Sequence, residues 1–338
     1  MADPVLVEVM RGGKVESTHR GAISIFNFDG REVLALGDTD RATFPRSAVK
    51  AIQALPLIET GAADALGLTD RALALACSSH NGEPEHAELA YEMLAGVGLS
   101  EADLECGPQW PGYHDATIEM ARQGLSPSQL HNNCSGKHSG FLSVCIHCRL
   151  EPKGYVAAGH PFQEMVRETM QDVTGTAHNE ANRGIDGCSI PTYAVPLKSL
   201  ALGFARMGGG KGLGAERVKA AQRLLAANMK HPFLVAGSGR ADTRIMEAAP
   251  GRIFVKMGAE GVFCGVAPEL GLAFALKCDD GGARAAESAV AGLLERLFAA
   301  DAPLSAALGV IAREPIKTRR FAVAGEVRPA QAVTSISL

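Results

Sequence analysis

Ser47 and Lys50 stand three residues apart in the stretch Phe44-Pro45-Arg46-Ser47-Ala48-Val49-Lys50. An unaided serine hydroxyl is a poor nucleophile, and a lysine whose amine is partly desolvated can serve as its base. Proline suits the first turn of a helix, where its missing N–H is not needed and its φ is already helical. The sequence therefore predicts a helix starting at Pro45 or Arg46, with Ser47 and Lys50 one above the other on one face. Serine and lysine are common, so this spacing alone arises by chance in many chains. Arg46 suits either a bidentate clamp on a substrate carboxylate or an ordinary pair with an acidic side chain.

Three further groups of residues offer chemistry. Ser79 sits in Cys77-Ser78-Ser79-His80-Asn81-Gly82, a polar loop of the kind that carries binding groups. The same loop fits an ST-turn before a helix, in which Ser79 or Asn81 satisfies backbone N–H groups. Lys256-Met257-Gly258 ends a strand-like run and parallels the Lys-Thr-Gly that faces the nucleophile across the cleft in Ser-x-x-Lys enzymes. Met257 removes the hydroxyl of that pattern, and Lys256 equally suits a charged gatekeeper on an edge strand.

Cys134 and Lys137 share the polar stretch Asn132-Asn133-Cys134-Ser135-Gly136-Lys137-His138, read as a loop, and Cys188 follows Asp186 in a second one. Two thiolates on separate loops hold zinc only if the fold unites them, and no paired Cys/His spacing of a zinc framework is present. Cys145 and Cys148 lie in an apolar run that reads as a buried helix packing two small thiols. In Gly208-Gly209-Gly210-Lys211-Gly212 a glycine follows the lysine and a helix precedes it, so an inter-helix loop is expected there and not a phosphate cradle.

With 338 residues, 46% of them hydrophobic and 21% charged, the chain can build two lobes or one large α/β domain. A net charge of −4 gives no electrostatic reason to expect nucleic acid or an anionic membrane surface. No basic leader with a long apolar core and no apolar run of about 18 residues is visible. Eight cysteines without such a leader read as free thiols, and the expected compartment is cytoplasmic.

The elements that must position these groups follow in order. Residues 5–9, 15–28 and 33–36 read as three antiparallel strands, turning at Gly12-Gly13 and Asp29-Gly30. The Ser47 helix comes next, ended or kinked by Pro56. Thr69 caps a helix leading to the Ser79 loop, residues 84–95 form another, and a short one starts at Ser100. Residues 115–230 are mostly helical in period. After Pro232 strands return over 233–236, 252–256, 261–266 and 272–277, and an amphipathic helix spans 283–299. This order predicts one sheet built by residues 1–68 and 231–338, a mainly helical lobe from 69–230, and an active site in the cleft between them.

Taken together, Phe-Pro-Arg-Ser47-x-x-Lys50, Cys-Ser-Ser79-His-Asn-Gly-Glu-Pro-Glu-His, His-Asn-Asn-Cys134-Ser-Gly-Lys137-His and Asp186-Gly-Cys188 resemble the Rhizobium-type, or class 3, L-asparaginase II family over nearly the whole chain. The resemblance implies an α/β (α+β) fold similar to serine β-lactamases and serine-dependent glutaminases, with an antiparallel sheet flanked by helices. It implies hydrolysis of L-asparagine to L-aspartate and ammonia by a homodimer, with Ser47 paired to Lys50 and Ser79 to Lys256. It further implies one zinc ion per subunit on Cys134, Lys137 and Cys188, with Asp186 close by. Arg46, His80, Asn81, His138 and Asp186 are the expected substrate-binding groups. A glutaminase, a β-lactam or peptide hydrolase, and a zinc-binding module without activity stand as alternatives.

Overall fold

The computed structural model describes residues 2–338. An antiparallel sheet drawn from both ends of the chain forms its frame. β1 (Val5–Arg11), β2 (Lys14–Asn27) and β3 (Glu32–Leu36) make the expected meander. Two small pairs follow: β4 (Ala42–Thr43) joins β7 (Val195–Pro196), and β5 (Arg183–Ile185) joins β6 (Pro191–Tyr193). The C-terminal segment supplies β8 (Phe254–Gly258), β9 (Val262–Ala267), β10 (Leu272–Cys278), β11 (Glu314–Lys317) and β12 (Val323–Pro329). The main sheet runs β11-β12-β1-β2-β10-β9-β8, with β3 also beside β2. The strand carrying Lys256 is thus at the edge, as its sequence context suggested.

Residues 21–26 of β2 and 273–276 of β10 are buried without alternation, so both faces of the central sheet are covered. The helix Leu197–Gly209 packs on β2, β9 and β10, and Ala283–Leu297 packs on β1, β10 and β12. The helices Asp70–Ala76, Pro84–Ala95 and Ser135–His147 pack on one another. Among the described residues no helix is long and apolar enough to cross a membrane, and all eight cysteines are free.

Several local expectations need correction. The helical stretch starts at Arg46, one of the two expected positions, but as a 3₁₀ turn, Arg46–Val49, entered through a left-handed φ of 51° at Arg46 and followed by the short helix Lys50–Gln53. The helical stretch after Ser47 does break ahead of Pro56, ending at Gln53, and Pro56 then sits in the first turn of Leu55–Glu59, where its missing N–H is harmless. The run read as a loop around Cys134 becomes helical at Ser135, so Lys137 and His138 belong to a helix. Residues 233–236 are helical within Pro232–Ala236 and not a strand; four apolar residues carry no usable period, and Pro232 opens the turn. The helix Ala302–Ala312 and the β11–β12 hairpin were not read at all.

Gly136 sets how closely the helix Ser135–His147 packs. A Cβ there would lie 2.4 Å from the Leu75 carbonyl oxygen, so only glycine lets this helix meet Asp70–Ala76 so closely. Overpacking of this kind typically costs about 1–3 kcal/mol. Gly136→Ala should therefore lower the unfolding free energy by that amount, read from equilibrium unfolding as a lower denaturant midpoint with an unchanged slope.

Candidate active site

The Ser47 turn is fixed from two sides. Arg46 directs its Nε to Asp186 Oδ1 at 2.8 Å, tying the turn to the loop between β5 and β6. Edge strand β8 lies against the turn on another side: a Cβ on Gly258 would fall 2.4 Å from the Pro45 carbonyl oxygen and 3.1 Å from Ala48 N. A glycine is thus needed two residues after Lys256, and this is what the Lys-x-Gly pattern encodes. Arg46 holds its left-handed conformation at the centre of these contacts, the kind of local strain that the surrounding packing must sustain.

Ser47 is half-buried, whereas Lys50 is only 1% exposed and Ser79 only 6%. Lys50 Nζ reaches the Ser79 hydroxyl at 2.8 Å, the Ser78 carbonyl oxygen at 2.5 Å, the Asn133 carbonyl oxygen at 3.4 Å and Cys134 Sγ at 3.1 Å. The Lys50 backbone N–H donates to the Ser47 carbonyl oxygen, but among the described residues no hydrogen bond joins the two side chains. The i, i+3 spacing therefore brings the lysine from the Ser47 turn to the second serine. Burial pushes the Lys50 amine toward its neutral form, opposed in part by the Cys134 thiolate.

Lys256 is fully buried on β8, which removes the gatekeeper reading. Its Nζ donates to the Met257 carbonyl oxygen at 2.9 Å and lies 3.9 Å from Asp242 Oδ1. Burial lowers its pKa to about 7, with Asp242 opposing the fall and Lys50 adding to it. A lysine near neutrality can both take and give a proton at ordinary pH.

The expected zinc residues also meet. Lys137 Nζ donates to Cys188 Sγ at 3.0 Å, and Cys134, Lys137 and Cys188 are all buried. A hydrogen bond from the Cys188 thiol, with Lys137 and Lys50 alongside, holds Cys134 well below the usual thiol range despite burial. Burial opposes the charge on Lys137, but Cys134, Cys188 and Asp186 keep it firmly protonated. Among the described residues no group of three or more His, Cys, Asp or Glu side chains converges as a metal centre. The donor set is therefore two soft sulfurs and one amine. It fits zinc by donor type once Lys137 gives up its proton.

The expected substrate groups divide. His80 accepts from the Gly82 N–H on Nδ1 and directs Nε2 to Ser135 Oγ at 2.9 Å, with its ring stacked on His86. Burial and His86 hold it neutral. Asn81 donates to the Ser238 carbonyl oxygen and accepts from Arg240. Both side chains thus brace the Ser79 loop. His138 pairs Nδ1 with the Tyr155 hydroxyl at 2.6 Å, while its buried Nε2 has no partner. Burial raises the Asp186 carboxyl, but Lys137 and Arg46 outweigh it and keep the group ionised. A cavity of about 390 Å³ opens beside Arg46, lined also by Thr43, Phe44, Ile185, Glu260 and Lys277.

The family model described as L-asparaginase II matches residues 7–329. The chain belongs to the L-asparaginase II family. It is thereby an amidohydrolase that takes a small amide substrate. No curated protein matches it. Solved structures similar to this L-asparaginase II family member include a β-lactamase from Mycobacterium bovis, at 17% identity over 79% of this chain and 89% of that one, with a TM-score of 0.38. Mglu in its tris and glutamate form is 14% identical over 89% of this chain and 63% of that one, with a TM-score of 0.45. A β-lactamase from Sphaerobacter thermophilus is 12% identical over 87% of this chain and 92% of that one, with a TM-score of 0.36.

Sequence reading missed the segment that connects the two serine–lysine regions of this family member. Glu83 accepts from the Ser238 N–H and hydroxyl, both at 2.7 Å, and Arg240 bridges Asn81 to Met257 Sδ. The one available signal was Gly237-Ser238-Gly239, a turn cluster directly before a helix.

Lys256 should leave a mark on stability. Its value of about 7 lies below the ordinary 10.5, so between those pH values the unfolded chain binds the extra proton. Stability contributed by this position must then rise with pH from about 7 to 10, by up to about 1.4 kcal/mol per unit. Guanidinium unfolding of the parent and Lys256→Met across that range should show this slope in the difference between them. Parallel curves would mean that Lys256 titrates as an ordinary lysine.

Proposed function

We propose that this protein hydrolyses L-asparagine to L-aspartate and ammonia through an ester formed on Ser47. The observation that carries the reading is the buried hydrogen bond from Lys50 to Ser79 beside the Ser47 turn, with buried Lys256 near enough to feel the Lys50 charge, in a chain of the L-asparaginase II family. Ser47 Oγ attacks the side-chain amide carbon, and its proton passes to the neutral amine of Lys50. Backbone N–H groups at the start of the Ser47 turn, which have no intrahelical acceptor, hold the oxyanion. As the C–N bond breaks, the leaving nitrogen takes a proton from Lys256 relayed through the Ser79 hydroxyl, and ammonia departs. Water then attacks the ester carbon, gives a proton back through the same lysines, and releases aspartate and free Ser47.

Arg46 and Asp186 would recognise the α-carboxylate and α-ammonium of the substrate at the cavity beside them. Zinc, held by Cys134, Lys137 and Cys188, would supply Lewis-acid polarisation or tie the thiol segments together.

A second reading makes Ser79 the nucleophile and Lys50 its base. The 2.8 Å contact between them favours it, since geometry precedes pKa in choosing a base. Ammonia release from asparagine and glutamine tests both. We expect asparagine to be the better substrate and Ser47→Ala to lose about a thousand-fold or more in kcat. An acid-quenched adduct mapped by mass spectrometry should lie on Ser47. An adduct on Ser79, with Ser47→Ala active, selects the second reading; ammonia from neither amide by the parent protein rejects both.

The zinc assignment has its own test. Protein produced with zinc present should carry close to one zinc per chain by elemental analysis, and Cys134→Ser or Cys188→Ser should lose it while remaining folded. A parent protein free of zinc after such production would remove the metal from the proposal.

A further inference from the structure

Asp242 is a fully buried carboxylate with one unpartnered oxygen. It lies in the first turn of the helix Ala241–Ala248. Oδ1 accepts from the Met257 N–H at 2.6 Å and lies 3.9 Å from Lys256 Nζ, while Oδ2 is buried without a partner among the described residues. Lys256 in turn donates to the Met257 carbonyl oxygen. The backbone of Met257 is therefore held at its N–H by the acid and at its carbonyl by the lysine. A buried carboxyl group with an idle oxygen is costly to keep, and packing alone does not require it. A nearby ammonium supplies the reason.

We propose that Asp242 is a positioning residue for Lys256: its charge holds the lysine in place at the edge strand and sets how tightly that lysine keeps its proton. This rests on the reading of Lys256 as part of the catalytic machinery. The groups facing this pair are Lys50, Arg240, Cys134, Cys77, His80 and Cys264 around Lys256, and Glu287 on the Asp242 side. Lys50 and Arg240 repel the Lys256 proton. The Cys77 and Cys264 thiols are pushed up by burial and His80 is held neutral, so these three carry no compensating charge. Cys134 attracts the proton but ranks below Asp242, Lys50 and Arg240 among the influences on Lys256. Asp242 is the leading attraction.

Asp242→Asn keeps the shape and an oxygen for the Met257 N–H while removing the charge. An opposite charge at this range is typically worth about one to three pKa units. The Lys256 Nζ resonance, identified in a ¹⁵N-lysine-labelled sample by its loss in Lys256→Met, should titrate at least one pH unit lower in Asp242→Asn. The alkaline limb of kcat/KM, set by loss of the proton that Lys256 donates, should move down by the same amount. A merely structural role would leave both unchanged, and an unmoved Lys256 titration overturns the proposal. If the parent protein releases no ammonia, the amidase reading fails while the resonance still tests the pair. If Asp242→Asn does not fold, the double variant Asp242→Asn/Lys256→Met decides. It should fold and be more stable than Lys256→Met, because no lone charge is left buried; a double variant no more stable than that single one overturns the proposal.

Discussion

Three lysine side chains, Lys50, Lys137 and Lys256, are each at most 1% exposed, and the rest of the site is a response to that fact. An ammonium group withdrawn from water must find acceptors or lose its proton. The three lysines reach different solutions. Lys137 is surrounded by Cys134, Cys188 and Asp186 and stays charged. Lys256 is pushed down by burial, with Asp242 opposing and Lys50 and Arg240 adding to the fall, and drifts to about 7. Lys50 lies between, with two carbonyl oxygens, a serine hydroxyl and a thiolate within reach. A gradient of proton affinity across one cluster is what proton transfer through it requires.

The backbone pays for this with close approaches. Gly258 lets edge strand β8 touch the Ser47 turn, and Gly136 lets the helix bearing Lys137 touch the helix that leads to Ser79. These contacts are made by main-chain atoms, so they fix the separations between segments more tightly than side-chain packing would. Arg46 absorbs the remaining mismatch in a left-handed φ, and its pair with Asp186 holds the strained turn.

Much of this was legible in the chain. Alternating and β-branched runs marked the strands of the meander and of β8 to β10, because each has a periodic burial constraint. Thr69 marked a helix start, with its hydroxyl accepting from the Ala72 N–H. Long motifs around Ser79 and Cys134 identified the family. What could not be read was whatever depends on distant contact. The helix at Ser135 hides in residues of loop-like composition, since what favours it is packing against Asp70–Ala76 and Pro84–Ala95. Residues 233–236 looked like a strand because four apolar positions have no period. The partner of Lys50 was not visible either: sequence spacing pointed to Ser47, whereas the long, flexible lysine stem follows the acceptors, and those belong to residues 78, 79, 133 and 134.

The site is therefore assembled only by the complete fold. Its groups come from the turn at 46–50, the loop at 78–83, the helix start at 134–138, the loop at 186–188 and the segment 240–258. The last of these reaches the first only because β8 closes the edge of a sheet begun by residues 5–27. Each buried lysine also weakens the fold that shelters it, since hydrophobic side chains of similar volume would serve stability better. A chain selected for stability alone would not keep three of them together. Their retention, beside an idle carboxylate oxygen and a strained arginine, is the pattern expected where local rules are broken for chemistry and the surrounding core makes good the loss.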